Sequence, residues 1–291
     1  MGRVLFARNL NPIHSSIGRV LNFMAERFQG GTGYSTACST RSALNSAVVL
    51  TDGIELSQHP LMKRFMKGIF HLKPPLPKYT DVWDVGTLIS FIRNLGYNWM
   101  LDRKTLTLKL AALLSILTAQ RISTITYLSY DHTNLSKSGD RVTFTPVRLS
   151  KHHRRGKAIK PITVSAYPAD DRLCVVSTLR AYFALRGKQP GQLLLTHKRP
   201  YHSPHRDTVA GWLKQVLRMA GIDTGVFSAH SYRGASTSSA HRSASVSIQQ
   251  VLRRGEWSSE RTWRNHYDLP VVSTAENFST NLLDAHRPDE D

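Results

Sequence analysis

The stretch His71-Leu72-Lys73-Pro74-Pro75-Leu76-Pro77-Lys78 decides how this chain is organised. Three prolines so close together fix φ and remove backbone donors, so neither a helix nor a central strand runs through them. The segment reads as a short, stiff, basic linker. It divides the 291 residues into a first unit over 1–72, a linker over 73–80, a larger second unit over 81–270 and a tail over 271–291. A chain of this length accommodates two ordinary domains.

Upstream of the linker the pattern is helical. Leu61, Phe65 and Ile69, with Met62 and Met66, form an apolar stripe, and Lys63, Arg64 and Lys67 occupy the other faces. A further helix is expected over 36–49, and no strand signal is present. The expectation is a small all-α domain with a basic face. Downstream, Val82, Val85, Leu88, Ile89, Ile92 and Leu95 keep helical spacing before Gly96, a natural C-cap. Residues 106–119 are apolar on nearly every side, which predicts a buried central helix. Arg141-Val142-Thr143-Phe144-Thr145 alternates after a Ser138-Gly139-Asp140 turn, and 159–164 is its expected antiparallel partner. Amphipathic helices follow over 171–186 and 207–220. Three short ones are expected to carry His230, 246–253 and 258–267. The fold class is therefore mainly α with a small antiparallel β-sheet, an α+β unit behind an all-α one.

Charge narrows the partner. Thirty-nine Lys and Arg face twenty Asp and Glu, a formal +19. So large an excess repels itself and calls for a polyanion, because each phosphate neutralised releases counterions. Residues 148–160 hold Arg148, Lys151, Arg154, Arg155, Lys157 and Lys160 with no acid among them, and interrupt the expected hairpin. Lys198, Arg199 and Arg206 form a second basic cluster beside His197, His202 and His205. Both clusters are candidate DNA contacts. The three histidines lack a Cys or carboxylate at usable spacing, so no metal site is expected. Cys38 and Cys174 are too far apart in sequence for a disulfide framework and fit a reducing compartment. No secretory signal is read at the N-terminus; Phe6 stands where a myristoylation site needs Ser or Thr; and the 106–119 run is too short to span a bilayer. The Ser236-Thr237-Ser238-Ser239 run, with Ser243, Ser245 and Ser247, lacks a Gly-x-Ser-x-Gly setting and reads as a helix followed by a loop rather than a serine nucleophile.

Six residues of the second unit carry candidate chemistry: Arg121, Lys151, His230, Arg233, Trp257 and Tyr267. Singly, most have an ordinary explanation. An arginine at a helix end is favoured by the dipole, a lysine on a turn is solvated, and Trp or Tyr packs with a polar tip outward. Their order is more informative: Arg, Lys on a β-turn, His-x-x-Arg, Trp, then Tyr ten residues on. This order resembles the tyrosine recombinase and phage integrase family. Ala119-Gln120-Arg121, the Pro-Pro linker before Tyr79 and Trp83-Asp84, and Gly255-Glu256-Trp257-Ser258-Ser259 look most like the recombinases of eukaryotic DIRS and Ngaro retrotransposons.

The resemblance implies a nucleophile, Tyr267, that forms a 3′-phosphotyrosine link. It implies that Arg121 and Arg233 hold the phosphate, that His230 moves or shares the tyrosine proton, that Lys151 protonates the leaving 5′ oxygen, and that Trp257 offers an indole N–H and an apolar wall. It implies a DNA clamp made by a core-binding and a catalytic domain. It also implies double-stranded DNA as partner, a homo-tetramer on two sites, neither metal nor small-molecule cofactor, and a nuclear or otherwise intracellular setting. Apolar Val271, Val272, Phe278, Leu282 and Leu283 mark the tail for docking on a neighbouring subunit. Thr124 departs from the acidic residue many integrases carry three positions after the first arginine. The competing expectations are a domesticated DNA-binding module that no longer cuts and a topoisomerase-like nicking-closing enzyme.

Overall fold

The computed structural model describes residues 13–147, 160–243 and 246–272. Lys151, Arg148, Arg154, Arg155 and Lys157 lie outside the described residues, as does the tail beyond Val272. The chain separates into two compact units, Met1–Lys78 and Tyr79–Asp291.

The first unit is built on helices α1 (Ile17–Gln29), α2 (Tyr34–Ala47) and α3 (Pro60–Leu72). Its core is Val20, Met24, Ala37, Leu44, Met62, Met66 and Ile69, with Val48, Leu50 and Leu56. Pro60 suits the first turn of α3, where its missing N–H costs nothing, and the His59 ring accepts a hydrogen bond from the Leu61 amide at 3.1 Å. The expected stripe on α3 is rotated: Met62, Met66 and Ile69 are buried, Phe65 is partly so, and Leu61 is exposed. The seam of a three-helix core follows the i, i+4, i+7 set that faces both neighbours. Lys63, Arg64 and Lys67 are exposed on the opposite side. The unit also holds a two-residue parallel pairing of β1 (His14–Ser15) with β2 (Val49–Leu50), where no strand was expected. Runs this short have no readable alternation.

The second unit has α5 (Arg103–Thr118) at its centre, behind α4 (Val85–Asn94). Twelve of its sixteen residues are buried, so α5 has no solvent face and contacts elements on several sides. These are α6 (Ile122–Thr126), α7 (Val175–Arg186), α8 (Arg206–Met219), α9 (Ser231–Arg242) and the edge of the sheet. The Asp102 carboxylate caps its start through the Thr105 amide at 2.8 Å, and Ala119, in the left-handed region at φ 52°, ends it. Helices α10 (Ile248–Gly255) and α11 (Glu260–Tyr267) complete the unit. The sheet is antiparallel with order β3 (Thr133–Leu135), β4 (Arg141–Phe144), β5 (Ile162–Ser165); Val142 pairs with Val164 and Phe144 with Ile162. Alternate residues of β4 and β5 are buried, the period-two pattern that identified the hairpin. Strand β3 was not anticipated, since Thr133-Asn134-Leu135 has no such signal. Among the described residues no helix is long and apolar enough to cross a membrane.

Candidate active site

Arg233 organises the site. It lies in the first turn of α9 and is 2% exposed. Its Nη1 donates to the carbonyl of Ala119 at 3.0 Å, and its Nη2 donates to the carbonyl of Gly255. These carbonyls belong to the C-terminal ends of α5 and α10, each closed by a residue in the left-handed region, Ala119 and Glu256. The negative ends of two helices thus meet on one guanidinium, and among the described residues no carboxylate pairs with it. Gln120 ties the same two ends together by donating from Nε2 to the Arg254 carbonyl at 2.7 Å.

The guanidinium is stacked on aromatic rings. Its Cζ lies 3.8 Å from the Trp257 ring centre and 5.5 Å from that of Tyr267, an arrangement that stabilises a desolvated cation. Burial still pushes the Arg233 pKa down to about 10. The nearby Arg121 adds to that fall, and Tyr267 acts in the other direction. Arg121 itself stands at the N-cap position of α6, with no side-chain capping bond, and is half-buried. Two like charges held close together are unfavourable unless an anion joins them. The Arg233 Nε–H is buried and has no acceptor in hydrogen-bonding geometry among the described residues.

Tyr267 ends α11, half-buried, with its ring 4.7 Å from Trp257 edge-on and 6.2 Å from the exposed His230. Its backbone is fixed by α9: the Ser238 hydroxyl donates to the Tyr267 carbonyl and accepts from the Leu269 amide at 3.2 Å. Trp263, fully buried, donates from Nε1 to Thr237 Oγ1 at 3.1 Å and so pins α11 to α9. Arg233 and Thr237, four residues apart, share one face of α9, and Ser238 stands on the adjoining one.

Five of the six candidates therefore converge: Arg121, His230, Arg233, Trp257 and Tyr267. The sixth, Lys151, lies outside the described residues. Sequence reading missed Gln120, Thr237, Ser238 and Trp263, whose work is visible only through partners more than twenty residues away. The serine run at 236–239 lies inside α9, as the reading of a helix followed by a loop expects. Ser236 donates to the Ile116 carbonyl on α5, so the small residues allow close helix packing.

The other basic candidates are dispersed. Lys160, Lys198 and Arg199 are exposed, while Arg206 is already paired with Asp207 at 3.0 Å. The neighbouring histidines have separate structural tasks. His197 packs on Trp212, His202 contacts the Pro200 carbonyl, and His205 accepts from the Asp207 amide at the start of α8.

The fold is that of the tyrosine recombinase catalytic domain. Among solved structures, the chain is similar to the XerH site-specific recombinase bound to palindromic difH substrate in a post-cleavage complex. The two are 13% identical with a TM-score of 0.56, over 93% of this chain and 73% of that one. It is similar also to the Tn1549 transposon integrase in complex with transposon right end DNA (12% identical, TM-score 0.60, 92% of this chain and 85% of that one). A lambda integrase dimer bound to a COC' core site matches at 13% identity and a TM-score of 0.53, over 87% of this chain and 65% of that one. No family model matches the sequence, and no curated protein matches it.

Proposed function

We propose that the protein is a site-specific recombinase or integrase that cuts and rejoins DNA strands through Tyr267. One observation carries this reading: a buried arginine, packed against the touching rings of Trp257 and the candidate nucleophile, with a second arginine beside it and an unused Nε–H. Such a pair is built for a phosphodiester.

In this reading Arg121 and Arg233 hold the non-bridging oxygens and stabilise the charge that grows on them in the transition state. The Tyr267 hydroxyl attacks phosphorus, its proton passing toward His230 or solvent. The bond to the 5′ oxygen breaks, that oxygen takes a proton from Lys151, and a 3′-phosphotyrosine remains. Attack by a 5′ hydroxyl reverses the step and reseals the strand. The covalent link conserves the energy of the broken bond, so no ATP is consumed. The arginines supply the charge that a divalent metal supplies elsewhere. Trp257 shields one side of the tyrosine. The exposed cations Lys63, Arg64, Lys67, Lys160, Lys198 and Arg199 are proposed backbone contacts. The first unit is proposed as the core-binding domain, and a homo-tetramer as the working assembly. A lambda integrase tetramer bound to a Holliday junction is among the similar structures. The resemblance to DIRS and Ngaro recombinases supports a mobile-element role and a nuclear setting.

The test is a nicked suicide duplex incubated with protein in EDTA. A covalent adduct that disappears in Tyr267→Phe is expected. Tight binding with no adduct on any candidate site assigns the chain to the binding-only class instead.

A further inference from the structure

The segment from Tyr79 to Trp83 carries none of the six candidates, yet it touches both sides of the site. Trp83, 3% exposed, donates from Nε1 to Ser231 Oγ at 2.8 Å. Ser231 Oγ in turn donates to the Ser228 carbonyl at 2.7 Å, and the Tyr79 hydroxyl meets Ser228 Oγ at 2.7 Å. His230 sits inside this turn, which the Ser231 amide closes on the Ser228 carbonyl at 2.8 Å. Both flanks of an exposed imidazole are thereby held by aromatic side chains from one short stretch. Between those aromatics, the Val82 amide donates to the Pro270 carbonyl at 2.8 Å, and the Val272 amide donates to the Val82 carbonyl at 3.0 Å. That pairing begins three residues beyond Tyr267. One stretch of chain is bonded to the turn that presents His230 and to the strand that leaves Tyr267.

We infer that Tyr79 and Trp83 are positioning residues, and that their hydrogen bonds to Ser228 and Ser231 set His230 in register with Tyr267. The inference rests on the reading of Tyr267 as the nucleophile. Ser231 and Trp83 are both buried, so the indole N–H and the hydroxyl have no water to replace each other with. Removing either group frees the turn to shift, and displacements of about 1 Å at a reacting centre cost roughly a hundredfold in rate. Arg233 is anchored independently of them, through the carbonyls of Ala119 and Gly255.

The experiment uses the full chain on the suicide duplex with Trp83→Phe, Ser231→Ala, their double variant, and Tyr79→Phe, which removes a single oxygen and serves if the others do not fold. Val209→Ala in α8 is the control for general destabilisation. The cleavage rate at saturating protein is expected to fall roughly tenfold to a hundredfold. DNA Kd should stay within about twofold, and the double variant should be no slower than the slower single one. Wild-type cleavage rates in Trp83→Phe, Ser231→Ala and Tyr79→Phe overturn the inference. So do additive losses, a matching loss of DNA affinity, or an equal slowing in Val209→Ala. An absence of adduct in the wild-type protein removes the recombinase reading itself and the inference with it; an adduct in wild type with undiminished variants removes the inference alone.

Discussion

At Gly255 the missing side chain is what lets Trp257 lie against Arg233. A methyl group there would overlap the six-membered ring of the indole. Gly255→Ala is expected to push Trp257 off both Arg233 and Tyr267, to destabilise the protein by about 1–3 kcal/mol, and to change the near-ultraviolet circular dichroism. Arg233→Lys tests the fork. A lysine reaches one of the two carbonyls and leaves the other buried without a donor, a loss of about 1–3 kcal/mol measurable by urea unfolding. Strand cleavage should fall much further than binding, because the phosphate loses a bidentate partner. His230, Arg233, Trp257 and Tyr267 were legible in sequence because their order along the chain is itself a pattern. Gln120, Thr237 and Ser238 were not, because a hydroxyl or amide that bonds a distant backbone atom leaves no local trace.

Helices were legible where burial was one-sided and harder to read where it was not. Helix α5 was found through its length and apolarity, but its buried Lys109 is a local contradiction. Nζ donates to the Gly96 carbonyl at 3.1 Å, and burial pushes the lysine down to about 8 against the pull of Asp171 and Asp170. The unfolded chain holds that proton up to the ordinary value of 10.5. Between about pH 8 and 10 it therefore binds more protons than the folded protein, and stability should rise with pH. The urea midpoint of wild type is expected to climb across that window, and that of Lys109→Met to stay flatter. In α10 the Ser247 hydroxyl and the Gln250 side chain cap each other's amides. Ser247→Ala should cost about 1 kcal/mol and loosen the carbonyl of Gly255 that Arg233 uses. Strand β3 and the β1–β2 pairing escaped sequence reading because two or three residues cannot display a period.

For the whole chain, the proline-rich stretch announced two units, and each has its own core. Calorimetry of the intact protein is expected to resolve two transitions rather than one. The excess of +19 predicts an interaction with DNA that weakens steeply with salt. If 6–10 phosphates are contacted, affinity should drop by roughly a thousandfold or more between about 50 and 200 mM, a slope readable by fluorescence anisotropy. Basic clusters were legible as composition, but which cations remain available was not: Arg206 is already paired with Asp207. The anchoring of Arg233 has a further consequence for anyone studying the protein by genetics. Its two holding groups are main-chain carbonyls of Ala119 and Gly255, which every amino acid shares and no codon can delete. A mutational screen would recover the arginine, and Gly255 because an added side chain meets Trp257, but not the carbonyls themselves; replacing the amides that follow Ala119 and Gly255 with esters, which weakens those carbonyls as acceptors, would expose them.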